Sequence, residues 1–287
     1  MTSDYNGENL VFIAGCPRSG TTWIQRLIAS HPMIRTGQES FILPWYVHPI
    51  AQRWSRELRN KAPASIGLSA YLDEKQGREL IKHYVQLLFD SVAGDLKPGM
   101  LFLEKTPDNS FYIKEVVEYL PRAKMIHIIR DCRDVVSSLL AASKTWGFKP
   151  WGDLNSYSAA KLWVRHLDAV KRSRQLIPSG QFFELRYESL MERAEDVLDE
   201  IFNFLGIDWP REQISEAVRR NSLSSDMQQR TRLAVRGEKA QRINSQERIT
   251  AEFGSHSTSS ARRGLGIAQR LMVWMAARDT LKEYGYA

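Results

Sequence analysis

The sequence predicts an α/β fold in which a parallel β-sheet is flanked by helices on both faces. Three observations predict it. Short apolar runs alternate with longer stretches of helical spacing over the first two thirds of the chain. The first of those runs breaks into a glycine-bounded loop and then into a helix start. At 287 residues the chain can bury one large core, so residues 1–287 are read as a single domain.

Residues 10–14, Leu-Val-Phe-Ile-Ala, form the first strand and feed a helix over 21–30. A short strand then leads into Arg35-Thr36-Gly37-Gln38-Glu39. Residues 71–92 have helical spacing, with Leu80, Ile81, Tyr84, Val85 and Leu88 on the apolar side. The strand at 100–103 ends in Lys105-Thr106-Pro107. Pro107 opens a helix that runs to Tyr119-Leu120-Pro121, since proline is tolerated in a first turn. Residues 124–129 are a strand, 131–143 a helix, 154–176 a long helical stretch and 181–185 the last strand. A helix over 188–205 stops at Gly206, the residue type that ends helices in the left-handed conformation. Residues 265–284 form a closing amphipathic helix.

Between the first strand and its helix the chain reads Gly15-Cys16-Pro17-Arg18-Ser19-Gly20-Thr21-Thr22-Trp23. Two glycines bracketing four residues, with Thr22 after them, have the outline of a P-loop, so the predicted fold is P-loop-type. Backbone N–H groups of such a loop, with the N-terminus of the next helix, favour an anion. Thr21 stands where a P-loop has its lysine, and Arg18 lies inside the loop. Kinases and ATPases use that lysine on the β- and γ-phosphates. The anion cradle is kept and the chemistry differs.

The net charge of +7 and a pI near 9.4 suit an anionic ligand. Cys16 and Cys132 are the two cysteines, too few for a disulfide framework, which predicts a reducing, cytoplasmic compartment. The polar N-terminal residues show no signal-peptide pattern, and no apolar run approaches the ~20 residues of a membrane helix. Residues 222–263 are the compositional exception, with seven arginines and one lysine against four acids. They are expected to form a mobile basic lid that closes on the anion, the alternative being a solvated surface loop.

Ligands of open α/β sheets bind beyond the carboxyl ends of the strands, and four further features sit there. Glu39 follows the short strand, Lys105 ends the 100–103 strand, Arg130 ends the 124–129 strand with Ser138 eight residues later, and Arg186-Tyr187-Glu188 ends the last strand. Taken singly, each has an ordinary reading: an exposed acid, a solvated lysine, a structural arginine, a half-buried core tyrosine.

In this order the features resemble the PAPS-dependent sulfotransferases, PAPS being 3′-phosphoadenosine 5′-phosphosulfate. The string Pro17-Arg18-Ser19-Gly20-Thr21-Thr22-Trp23 is similar to their 5′-phosphosulfate loop, Arg130 with Ser138 to their 3′-phosphate pair, and Arg186-Tyr187-Glu188-Ser189-Leu190 to their element near adenine. The run from Arg18 through His31-Pro32 to Gly37-Gln38-Glu39 looks like the tyrosylprotein and related Golgi-type branch. The resemblance extends over residues 10–206. It implies in-line sulfuryl transfer from PAPS as co-substrate to a hydroxyl or an amine of an acceptor, with Glu39 as base and Arg18 and Lys105 stabilising the transferred group. Ser19, Gly20, Thr21, Thr22, Trp23, Arg130, Ser138 and Tyr187 would then hold the nucleotide. The histidine base and the Arg-Lys-Gly clamp of the phenol-sulfating branch have no equivalent, and Arg262-Arg263-Gly264 is the nearest substitute for the clamp. The membrane anchor of the Golgi enzymes is not expected here.

No metal is expected, since the sequence has neither His/Cys ligand spacing nor an acidic Mg²⁺ site. The rival readings are a P-loop kinase or NTPase, against which Thr21 speaks, and a nucleotide binder without turnover. A third is a nucleic-acid-binding module, against which the single aromatic of 222–263, Phe253, speaks. The acceptor is left open among carbohydrate, peptide tyrosine, lipid and small metabolite.

Overall fold

Five short strands carry enough branched and aromatic residues to form a sheet buried on both sides, and all of them pair in parallel. The computed structural model describes residues 6–59, 66–146, 154–221 and 264–287. Strands β1 (Leu10–Ala14), β2 (Ile34–Thr36), β3 (Leu101–Lys105), β4 (Lys124–Ile129) and β5 (Phe182–Arg186) lie in the order β2-β3-β1-β4-β5. Every residue of β1 is buried, as its central place requires. The connection leaving β1 turns toward β3 and β2, and that leaving β4 turns toward β5. A crevice therefore opens between the carboxyl ends of β1 and β4.

Strand alternation sends Leu10, Phe12, Phe102 and Met125 to one face, where α3 (Glu74–Ala93) and α4 (Ile113–Tyr119) cover them. Phe12 meets Phe89 of α3 edge-on, with ring centroids 5.5 Å apart. Val11, Ile13, Leu103, Ile126 and Ile128 point the other way, against α1 (Thr21–Ile28), α8 (Ala194–Leu205) and α9 (Arg211–Arg220). Burying one such side chain contributes roughly 1.5–3 kcal/mol. A third cluster joins α5 (Cys132–Trp146), α6 (Ser156–Ser173) and the last helix, α10 (Ile267–Glu283), around Trp163 and Leu167.

Several elements differ from expectation. The 71–92 helix starts at Glu74, where Asp73 accepts from the Gln76 amide and the Gln76 side chain accepts from the Asp73 amide. Its buried stripe is Gly77, Ile81, Val85 and Phe89, which leaves Leu80 52% exposed. The helix expected from Pro107 to Tyr119 is a tight turn, Pro107–Phe111, followed by α4, because Tyr112 leaves helical angles (φ −119°, ψ 24°). The 188–205 helix is two, α7 (Tyr187–Glu192) and α8, broken where Arg193 adopts φ −140°, ψ 54°. Strand β3 reaches two residues past 103, so Glu104 and Lys105 belong to the sheet. A wide turn at Ile42–Val47 with helix α2 (His48–Arg59), and helix α9, were not expected at all.

Candidate functional site

After β1 the chain turns through Gly15–Gly20 and enters α1 with Ile24 N–H on the Gly20 carbonyl, 3.1 Å. Two residues of the turn are left-handed, Arg18 at φ 73° and Gly20 at φ 98°. Gly20 is needed there twice over, since a Cβ would also run into the Tyr187 ring. Ser19 is buried, and its Oγ has no hydrogen-bond partner among the described residues. Thr21 is buried behind the loop, and Thr22 is partly exposed. Trp23 is engaged elsewhere: its indole N–H donates to the Asn221 carbonyl, 3.0 Å, and its ring meets Tyr187 edge-on at 5.6 Å. Cys16 lies inside the turn, 1% exposed, and burial first, then Cys132 and Asp108, push its thiol well above the usual range. Neither cysteine is bonded to the other.

The structure brings Arg130 and Ser138 to one place with Arg18 between them. Arg18 Nε donates to Ser138 Oγ, 2.9 Å, and Arg130 Nη1 donates to the Arg18 carbonyl, 3.1 Å. The Arg130 guanidinium lies 4.2 Å from the centroid of the Tyr187 ring, a cation–π contact in a buried setting. Trp163 Nε1 donates to the Arg130 carbonyl, 2.9 Å, and fixes the strand end from α6. Asp131 pairs with Arg133 at 2.6 Å, and Asp134 lies 3.9 Å from Arg130. No hydrogen bond reaches Arg130 Nε among the described residues. Burial raises the Tyr187 phenol pKa, so it stays a neutral donor. The Arg18 side chain, expected at the nucleotide and at the transferred group, reaches Ser138 through Nε.

On the other side of β1, register sets Lys105 level with Ile13, one residue before β1 ends. Lys105 Nζ donates to Glu39 Oε1 in a direct ion pair, with the lysine side chain 3% exposed and the glutamate 24%. Both ordinary readings fail here, for Lys105 is not solvated and Glu39 is not a lone surface acid. Their neighbours are tied in the same way. Ser40 Oγ donates to Glu104, 2.8 Å, and the Phe41 amide donates to Thr106 Oγ1, 3.3 Å. Buried Glu104 accepts as well from Thr106 Oγ1 and Asn109 Nδ2, each at 2.6 Å, and Asn109 also donates to the Ile13 carbonyl, 3.1 Å. Three consecutive residues after β2 are thus fastened to three at the end of β3.

Asp108, Glu104 and His166 belong to this region and escaped the sequence reading. A partly buried position, then the charge of Glu39, hold the Asp108 carboxyl above the usual carboxylate range, with Arg165 acting against both. His166 Nε2 lies 3.7 Å from Asp108, but burial, then His127 and Arg165, push the imidazole down to about 3. It is neutral at ordinary pH, so the two do not form an ion pair. The available signal was the acid three residues after Lys105 in Lys105-Thr106-Pro107-Asp108.

Gly264 comes back beside α5, where a Cβ on it would lie 3.2 Å from Ser137 Oγ. Arg262 and Arg263, and the basic stretch 222–263, lie outside the described residues. Among the described residues no group of three or more His, Cys, Asp or Glu side chains is arranged to hold a metal, and no helix is long and apolar enough to cross a membrane.

A model of the sulfotransferase family matches residues 10–211. The chain is 28% identical over 208 residues to the protein-tyrosine sulfotransferase of Drosophila melanogaster, which covers 71% of this chain and 40% of that one. It spans about half the length of the curated relatives it matches. Two solved structures share the fold. The sulfotransferase domain of a Synechococcus olefin synthase has a TM-score of 0.56 at 18% identity, covering 98% of this chain and 97% of the other. A mouse sulfotransferase complexed with PAP has a TM-score of 0.51 at 16% identity, covering 96% and 89%.

Proposed function

This chain belongs to the sulfotransferase family, and from that premise we propose that it moves the sulfuryl group of PAPS to a hydroxyl of an acceptor, with Glu39 as base. The observation that carries the proposal is the Lys105–Glu39 ion pair at the end of β3, beside the loop that follows β1. The residues present fit the nucleotide. Ser19 Oγ and Arg130 Nε are buried polar atoms without hydrogen-bond partners among the described residues, and an anion at the loop would give them one. Arg130, Ser138 and the Arg18 side chain would take the 3′-phosphate, and Tyr187 with Trp23 would face the base. Gly264 lies beside Ser137, the neighbour of Ser138 on α5.

Glu39 takes the acceptor proton, and the acceptor oxygen bonds to sulfur from the side opposite the bridging oxygen. The bond from sulfur to that oxygen breaks, and the 3′,5′-bisphosphate leaves with the electron pair. Lys105, released from Glu39 as the acceptor enters, neutralises the sulfuryl and bridging oxygens. Loop N–H groups at Ser19–Thr22 add fixed dipoles. For such a loose transfer, positioning and electrostatics supply most of the effect. Among acceptors, the names of the curated relatives favour a peptide tyrosine.

Titration calorimetry with 3′,5′-bisphosphate, with and without EDTA, tests the cradle. Labelled PAPS with a panel of hydroxyl acceptors tests transfer. Binding that ignores EDTA, together with transfer to at least one acceptor, is expected. ATP binding that requires Mg²⁺, without a response to the bisphosphate, would return the chain to the kinase reading.

A further inference from the structure

We propose that Glu104 is a positioning residue of the reaction, which acts through Ser40 and Thr106 to hold Glu39 at a fixed place beside the loop after β1. The inference rests on Glu39 being the acceptor's base. Glu104 is 3% exposed near the end of β3. A carboxylate so deeply buried is costly unless donors surround it. Four hydrogen bonds from neutral donors do so. The Ser40 amide (3.4 Å), Ser40 Oγ (2.8 Å) and Thr106 Oγ1 (2.6 Å) donate to Oε1, and Asn109 Nδ2 (2.6 Å) donates to Oε2.

The direction of these bonds matters as much as their number. A hydroxyl has one proton to give. Ser40 Oγ gives its proton to Glu104 and accepts from the Ile42 amide, 3.3 Å. Thr106 Oγ1 gives its own to Glu104 and accepts from the Phe41 amide, 3.3 Å. An ionised carboxyl accepts only, so it orients both hydroxyls and leaves their lone pairs to the two amides. Those amides belong to the residue after Ser40 and the next, and Phe41 takes a left-handed backbone, φ 49°, which is costly for a bulky side chain. The β2–β3 ladder ends at Thr36 opposite Leu103, three residues before Glu39. Past that point the Glu104 relays take over the placing of the chain. The second carboxylate oxygen reaches the other way. Asn109 Nδ2 also donates to the Ile13 carbonyl, 3.1 Å, and the Gly15 amide donates to the Pro107 carbonyl, 3.5 Å. One side chain thus sets the spacing between the segment of the base and the start of the anion loop.

The test measures turnover of labelled PAPS with N-acetyltyrosinamide or methyl glucoside in Glu104→Gln, Ser40→Ala and Ser40→Thr. The first two are also made together with Glu39→Gln. Glu104→Gln keeps the shape but sets an NH₂ where an acceptor stood, and kcat should fall by about 10- to 10²-fold, the cost of a misplaced reacting group. Ser40→Ala should lower kcat less, Ser40→Thr should restore most of that loss, and bisphosphate affinity should be the same in all of them. In the Glu39→Gln background neither change should lower kcat further, because both act through Glu39. A purely structural role would lower kcat alike in both backgrounds, and that result would overturn the proposal. Should Glu104→Gln melt below the assay temperature, Ser40→Ala, at a partly exposed position, decides alone. Native kcat in the Glu104 and Ser40 variants beside a slow Glu39→Gln would remove the positioning role and leave the base. Near-native turnover of Glu39→Gln would remove the base and this role with it. If neither acceptor reacts, hydrogen exchange gives the answer: residues 37–47 should exchange faster in Ser40→Ala than in the native chain, and equal exchange would overturn the proposal.

Discussion

Glu39 sits in an arrangement that sets its use. It pairs with Lys105, a lysine that is almost fully buried, so the charge of the pair is balanced in the resting site and changes when an acceptor intervenes. Glu39→Gln keeps the shape and removes the basicity, and kcat should fall by ~10²-fold or more with bisphosphate affinity little changed. Steady-state kinetics beside calorimetry checks this, and near-native turnover would leave Glu39 as the countercharge of Lys105. Arg130 makes a different claim. On the proposed function its loss would remove a charge-assisted contact to the 3′-phosphate, so Arg130→Ala should weaken bisphosphate binding by at least ~10-fold. Adenosine 5′-phosphosulfate, which lacks that phosphate, should bind nearly as before. The variant also removes the guanidinium 3.9 Å from buried Asp134, so a lower melting temperature is expected alongside. An equal loss for both nucleotides would mean that Arg130 serves Asp134 and the fold alone. The positions of Glu39, Lys105, Arg130 and Ser138 at strand ends were legible because each follows an apolar run. Asp108 and Glu104 were not, since their roles come from pairing residues 39–41 with 104–106 across more than sixty positions.

At the scale of elements, strands were legible and helix ends were not. Apolar runs such as Lys124–Ile129 have one reading, and β4 keeps the predicted bounds. Helix α2 hid because Pro44 and Pro49 flank its start and only Trp54 of its twelve residues is buried. Such a polar helix has too narrow an apolar stripe to register as a period. That one tryptophan is nevertheless what joins α2 to α3, for it lies directly over Gly77, where any Cβ would run into the indole. Gly77→Ala trades a small gain in helix propensity for overpacking against a ring that is 9% exposed. We expect a net loss of about 1–3 kcal/mol, read as a lower melting temperature, with bisphosphate affinity unaltered. A variant at least as stable as the native chain would show that the indole moves aside freely.

Across the whole molecule, the sheet order divides the work. The loop after β1 is central, the Glu39–Lys105 pair lies at the end of β3 on one side, and Arg130 and Tyr187 lie at the ends of β4 and β5 on the other. Alternating strands and helices in the sequence predicted a parallel sheet, and the expectation holds. Which strand neighbours which was not legible, because β1 and β4 are joined by contacts more than a hundred residues apart.

Placing Cys16 inside the loop gives the protein a built-in clock. A thiol that is sealed and hard to ionise cannot meet an alkylating reagent until the turn from Gly15 to Gly20 springs open. The pace of labelling at that one atom therefore counts openings of that loop. Iodoacetamide should modify native Cys16 far more slowly than a denatured control, and saturating bisphosphate should slow it further. Peptide mass spectrometry separates the signal from that of Cys132. If ligand left the pace untouched, the turn would already be as rigid when empty as when filled, and catalysis would begin from a finished mould.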